Sequence, residues 1–97
     1  MSLTPEQRRG LRAQAHTLKP IVQIGKEGVT QAQLDTIRRG LDHHELIKVR
    51  FNEHKEKKHE LSTQIAESTG SEQVNLIGNT LTLYKRNPDP SKRKITT

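Results

Sequence analysis

Leu11, Ala15 and Leu18 recur at helical spacing behind a clear start signal: Thr4 as N-cap, Pro5 at the first helical position and Gln7 completing a capping box. This predicts a first helix from about Pro5 to His16, stopped by Lys19-Pro20 because the residue before proline avoids helical geometry. Ile21 to Ile24, bounded by Pro20 and Gly25, reads as a short strand. Thr30 and Gln33 repeat the capping-box pattern, and Leu34, Ile37 and Leu41 mark the core face of a second helix ending near His44. Asp35 is assigned to its first turn, and His43 and His44 to its last, where each charge suits the helix dipole. From Leu46 to Phe51, Ile47, Val49 and Phe51 alternate with Leu46, Lys48 and Arg50, the period of a half-buried strand with one basic face. A charged stretch, Asn52 to Glu60, leads into a third helix on Leu61, Ile65 and Ala66 that Gly70 closes. Gln73 to Ile77 and Thr80 to Arg86 alternate again about Gly78-Asn79, a two-residue hairpin turn with glycine first.

The order is helix, strand, helix, strand, helix, strand, strand, which defines an α/β fold of two layers with a mixed four-stranded sheet whose last strand is antiparallel. Right-handed crossovers place the second and third helices on one sheet face. The other face is then expected to be open and basic, presenting Gln23, Lys48, Arg50, Thr82, Tyr84 and Arg86, with Leu46 and Ile21 beneath the first helix. Residues 1–86 form one domain. Residues 87–97, with Pro88, Pro90 and Lys92-Arg93-Lys94, lack apolar periodicity and are expected to be a mobile basic tail.

Composition narrows the partner. Only 29% of the 97 residues are hydrophobic and 2% aromatic, so one thin core between two layers is what the chain can fill. Seventeen Lys and Arg against eleven Asp and Glu leave +6, a surplus that favours a polyanion through counterion release, with an anionic membrane surface as the rival. The absence of cysteine excludes thiol catalysis and cysteine-ligated metals. Met1 to Gly10 carries Glu6, Arg8 and Arg9 and no apolar stretch, and no run approaches the roughly 18 apolar residues of a membrane span. A soluble, cytoplasmic monomer is expected.

The most suggestive chemistry lies at Gly25-Lys26-Glu27-Gly28, a GxxG turn between a strand and a helix start. Free backbone N–H groups, the positive end of a helix and the Lys26 cation meet there, and phosphate is the natural guest. Glu27 opposes this, which leaves Lys26 and the helix amides as the gripping groups. The loop lacks the GxxxxGK[ST] spacing that wraps a nucleotide phosphate, and no GxGxxG is present. A passing sugar-phosphate backbone needs fewer contacts, as in the GXXG loop of KH domains, although that loop joins two helices. The five histidines have no metal-ligand spacing: His43 and His44 diverge on a helix, and His54 and His59 have no i, i+4 partner. No serine or paired carboxylate stands in a catalytic context, so no cofactor, metal, small-molecule substrate or enzymatic activity is expected. With only Phe51 and Tyr84 aromatic, base stacking is scarce, and recognition should rest on backbone charge and RNA shape. The candidate RNA-binding residues are Gly25, Lys26, Glu27, Gly28 and Thr30, with Lys48, Arg50, Arg8, Arg9, Arg12 and Arg86 extending the footprint.

Four separated segments carry a family likeness: Leu18 to Val22, Ile24 to Thr30, His43 to Val49 and Ile77 to Lys85. Together they resemble the CRM domain in its bacterial stand-alone YhbY form, over about residues 5 to 86. The resemblance implies an RNA-binding module folded like the C-terminal domain of translation initiation factor three, with the family's GxxG loop at Gly25 to Gly28. It also implies ribosomal RNA of the precursor large subunit as partner. Lys85 stands where the family often has arginine, a change that keeps charge and loses bidentate geometry. The rival reading is a ribosome-associated protein adaptor working through the sheet face or the stripe of the first helix, with only non-specific RNA affinity.

Overall fold

A computed structural model describes residues 3–97. The elements are α1 (Pro5–Ala15), β1 (Pro20–Ile24), α2 (Gln31–His44), β2 (Leu46–Phe51), α3 (Lys58–Thr69), β3 (Glu72–Ile77) and β4 (Thr80–Tyr84), with short 3-10 turns at Lys55–Lys57 and Pro90–Lys92. Both capping boxes form: the Thr4 hydroxyl accepts from the Gln7 amide at 3.1 Å, and the Thr30 hydroxyl from the Gln33 amide at 3.2 Å. Asp35 lies beyond the first turn of α2, which begins at Gln31, and its carboxylate instead accepts from Arg38 at 3.0 Å.

The sheet order is β1-β2-β4-β3, with β1 parallel to β2 and β4 antiparallel to both its neighbours. The α/β class and the mixed sheet with its antiparallel last strand are therefore as expected. On one face Val22, Ile24, Ile37, Leu41, Val49, Phe51, Ile65, Leu81 and Leu83 make the main core under α2 and α3. Burying a side chain of this kind contributes about 1.5 to 3 kcal/mol, so this layer dominates stability.

The other face differs from the expected open surface. Leu11 and Ala15 of α1 pack with Leu3, Leu46, Val74 and Tyr84 into a second cluster, and Tyr84 is fully buried. Thr82 is buried as well, so only the part of this face toward Lys48 and Arg50 remains accessible. Leu18, placed in the helical stripe by spacing, is 38% exposed because α1 ends at Ala15. A bulge makes the second cluster possible: Gln73 pairs with Leu83 and Asn75 with Thr82, so Val74 is an extra residue in β3. Simple alternation would put Val74 and Leu76 on one face; the bulge sends Val74 under α1 and Leu76 toward the main core.

Residues 87–97 also depart from the free tail expected of them. They fold back across the end of α2, where the buried side chain of Glu45 accepts hydrogen bonds from the backbone amides of Asn87, Lys94 and Ile95. Ile95 packs on the second cluster, the Tyr84 and Thr97 hydroxyls are 2.6 Å apart, and the Gln14 amide donates to the Thr96 carbonyl at 2.7 Å. Composition marks this segment as basic and irregular; its partner Glu45 is 42 to 50 residues away in sequence, where no local pattern reaches.

Candidate nucleic-acid interface

Gly25 to Gly28 closes as a β-turn, its ends joined by a 3.0 Å bond from the Gly28 amide to the Gly25 carbonyl. Gly28 has φ +75°, a conformation that costs an L-residue about 1 to 2 kcal/mol, so glycine is required there. Lys26 and Glu27 occupy the two central positions, both exposed. The turn rests on a shelf. The Ile24 carbonyl accepts from the amides of Asn52 and Glu53 at 3.0 and 3.1 Å, and the His54 ring donates from Nε2 to the Lys26 carbonyl at 2.8 Å. His54 itself has φ +58° and belongs to the turn after β2, so sequence spacing offers no sign that it supports the loop.

Thr30 serves the helix. Its amide donates to Gln33 Oε1 at 3.2 Å and its hydroxyl accepts from the Gln33 amide, so both polar groups are engaged in capping. Within the first turn of α2 the amides of Gln31 and Ala32 are the ones left to face an anion.

The remaining candidates divide into those that extend the site and those that do not. Arg50 is exposed at the loop end of β2, where it donates to Asn52 Oδ1 at 3.2 Å, and Asn52 in turn donates to Gln23. Lys48 is half-buried and joins Arg12, His16, Asn75 and Thr80 around a groove of about 370 Å³ between α1 and the sheet. Arg9 is exposed on α1. Arg50, Lys48 and Arg12 make a positive strip from the loop end of β2 to that groove.

Arg8 and Arg86 do not join that strip. The Arg8 guanidinium donates to the carbonyls of Gln73 and Val74, 3.0 Å in the latter case, at the bulge in β3. It therefore ties α1 to β3. Arg86 follows Tyr84, which pairs with Leu46 at the start of β2, whereas the turn follows Ile24, which pairs with Phe51 at its end. At about 3.3 Å per residue these two ends are about 17 Å apart. Two further cations are also structural: Lys58 donates to the Gly78 carbonyl, and Arg38 to the Ser68 carbonyl at 2.8 Å.

Among the described residues no group of three or more His, Cys, Asp or Glu side chains is arranged to hold a metal, and no helix is long and apolar enough to cross a membrane.

The fold and these sequence segments have known counterparts. The chain is 39% identical over 88 residues to the "Probable RNA-binding protein YqeI" of Bacillus subtilis, covering 90% of this chain and 92% of that protein. It is 38% identical over 85 residues to an "RNA-binding protein" of Haemophilus influenzae, covering 87% and 86%. The solution structure of the hypothetical protein SAV1595 from Staphylococcus aureus superimposes with a TM-score of 0.80 at 34% identity, over 98% of this chain and all of that one. Residues 3–85 match the family model for the CRS1 / YhbY (CRM) domain, and the chain belongs to that family.

Proposed function

We propose that this protein binds structured RNA, in the precursor of the large ribosomal subunit, by gripping phosphates between Lys26 and the Gln31 and Ala32 amides. The observation that carries this is an exposed lysine at the tip of a rigid turn, beside a helix N-terminus, on a chain of net charge +6. The RNA-binding names of two relatives support the ligand class. Arg50, Lys48, Arg12 and Arg9 continue the grip along the sugar-phosphate backbone. Readout is by shape and charge, because the Tyr84 and Phe51 rings are both buried and offer no stacking platform. The protein acts as a monomeric binding protein of the cytoplasm, not as an enzyme. The surface an adaptor would use on α1 is largely consumed, since Leu11 and Ala15 lie in the second cluster.

The test replaces Lys26 and Glu27 together by aspartate in the full chain and measures affinity for a ribosomal RNA hairpin as a function of salt. Every phosphate that the variant no longer grips should flatten the plot of log affinity against log salt by about 0.7 to 0.9. Unchanged affinity in a folded double variant removes the turn from the mechanism. Cross-linking in cells that recovered protein neighbours and no RNA would favour the adaptor.

A further inference from the structure

At the end of the sheet opposite the GxxG turn, an open cleft of about 710 Å³ lies between the end of α2 and the returning chain, lined by His43, Asp42, Lys85, Arg86, Lys92 and Lys94 among others. Lys85 turns its ammonium toward the Thr69 carbonyl, 3.4 Å away. Arg86, Lys92 and Lys94 are exposed, and among the described residues none of the three has an acidic side chain within ion-pair reach. Three uncompensated cations thus face a cleft whose lining includes one carboxylate, Asp42.

Lys92 and Lys94 are held in place by the docked segment. Glu45 binds three backbone amides, Arg93 donates from Nε to the Asn87 carbonyl at 2.9 Å, and Asp89 caps the Pro90–Lys92 turn through the Ser91 amide at 3.0 Å. A free basic tail would attract any polyanion weakly, giving up conformational entropy each time it bound. Fixed on this framework, Lys92 and Lys94 meet Arg86 across one cleft with that ordering cost already met in folding.

We infer that this cleft is a second phosphate-binding site, gripping the sugar-phosphate backbone of the same RNA with Arg86, Lys92 and Lys94 through the docking of residues 87–97 on Glu45. The inference rests on the RNA-binding reading above. It adds residues beyond the family match, which ends at position 85. It also gives Arg86, stranded far from the turn, a role of its own. With the two grips on the order of 17 Å or more apart, a folded RNA engages both and a dinucleotide engages one.

The test compares the full chain with its R86A/K92A/K94A variant, all three positions exposed, and with the K26D/E27D variant, binding a ribosomal RNA hairpin across a salt series. The triple variant is expected to bind about tenfold or more weakly near 0.1 M salt and to flatten the salt plot by about 0.7 to 0.9 for each phosphate it releases. Its affinity for a dinucleotide should fall less. In E45Q, whose cleft cations are intact, the hairpin affinity should also fall, together with loss of hydrogen-exchange protection at Asn87, Lys94 and Ile95. A triple variant with the parent's affinity and slope, while the loop variant is weakened, would overturn the second site and leave RNA binding at the turn standing. If the parent bound no RNA, both would fall.

Discussion

At one end of the sheet the Gly25–Gly28 turn closes on its own backbone and takes one side-chain support from His54, in the turn after β2, whereas at the other end residues 87–97 converge on the single carboxylate of Glu45. The first arrangement closes within four residues and spreads its support over several separate hydrogen bonds, with glycine relieving the backbone. The second concentrates several long-range hydrogen bonds on one ionised group, which itself sits at φ +63° as the cap of α2. The local end should therefore tolerate the removal of any one support, and the remote end should depend on one side chain.

The largest expected effect is that of Glu45→Ala. It leaves three backbone donors without their acceptor and releases Ile95 from the second cluster, a destabilisation of about 3 kcal/mol in chemical denaturation. A change below about 0.5 kcal/mol, the range of ordinary surface substitutions, would show that the segment is held by something else.

Acid should act on the same end more gently. Burial works to raise the Glu45 pKa, but it is outweighed by the amides of Asn87, Lys94 and Ile95 and by the Arg93 charge, so the group titrates below its ordinary 4.5. A depressed folded pKa means that the carboxylate contributes fully above its unfolded value. That contribution disappears as pH falls from about 4.5 through the lower folded value. Asp89 is shifted down too, by the Ser91 hydroxyl and amide, but it is fully exposed and holds only its own turn. Stability of the parent minus that of E45Q, measured from pH 7 to pH 3, should narrow as the pH drops; a constant difference would contradict a role for the ionised form.

At the local end the effects are smaller. Gly28→Ala must place a Cβ on a backbone at φ +75° and should cost about 1 to 2 kcal/mol, although space is available because the nearest atom, His54 Nε2, would be 3.9 Å away. His54→Ala removes one hydrogen bond to the Lys26 carbonyl and should cost about 1 kcal/mol. Its sharper readout is RNA affinity, expected to fall a few-fold as the turn loosens, while affinity conferred by the Arg86 cleft stays. Denaturation of these variants beside Glu45→Ala measures the contrast between the two ends directly.

The same contrast explains what is legible in the sequence. Capping boxes, the GxxG turn, the Gly78-Asn79 hairpin and the alternation of β2 are encoded within a few residues, and each forms where its pattern places it. The bulge at Val74 is a register decision between two strands and leaves no mark in the alternation of either. Burial of Tyr84 and Thr82 follows from where α1 lands, which depends on that bulge. Arg8 illustrates the consequence for the site: its sequence context is that of a solvated cation, and only its bonds to the carbonyls of Gln73 and Val74, 65 and 66 residues on, make it structural. Thr30 fits both a phosphate site and a capping box by its position in the chain, and in the fold its two polar groups are taken by the cap.

The grip at the turn is tested most directly by an NMR titration of the full 97-residue chain with a ribosomal RNA hairpin, following every backbone amide. The largest early shifts should fall on Lys26, Glu27, Gln31 and Ala32, spread to Arg50 and Lys48, and vanish together in the K26D/E27D variant. Saturable binding that left the Gly25–Gly28 turn and the start of α2 unshifted would contradict a phosphate grip there.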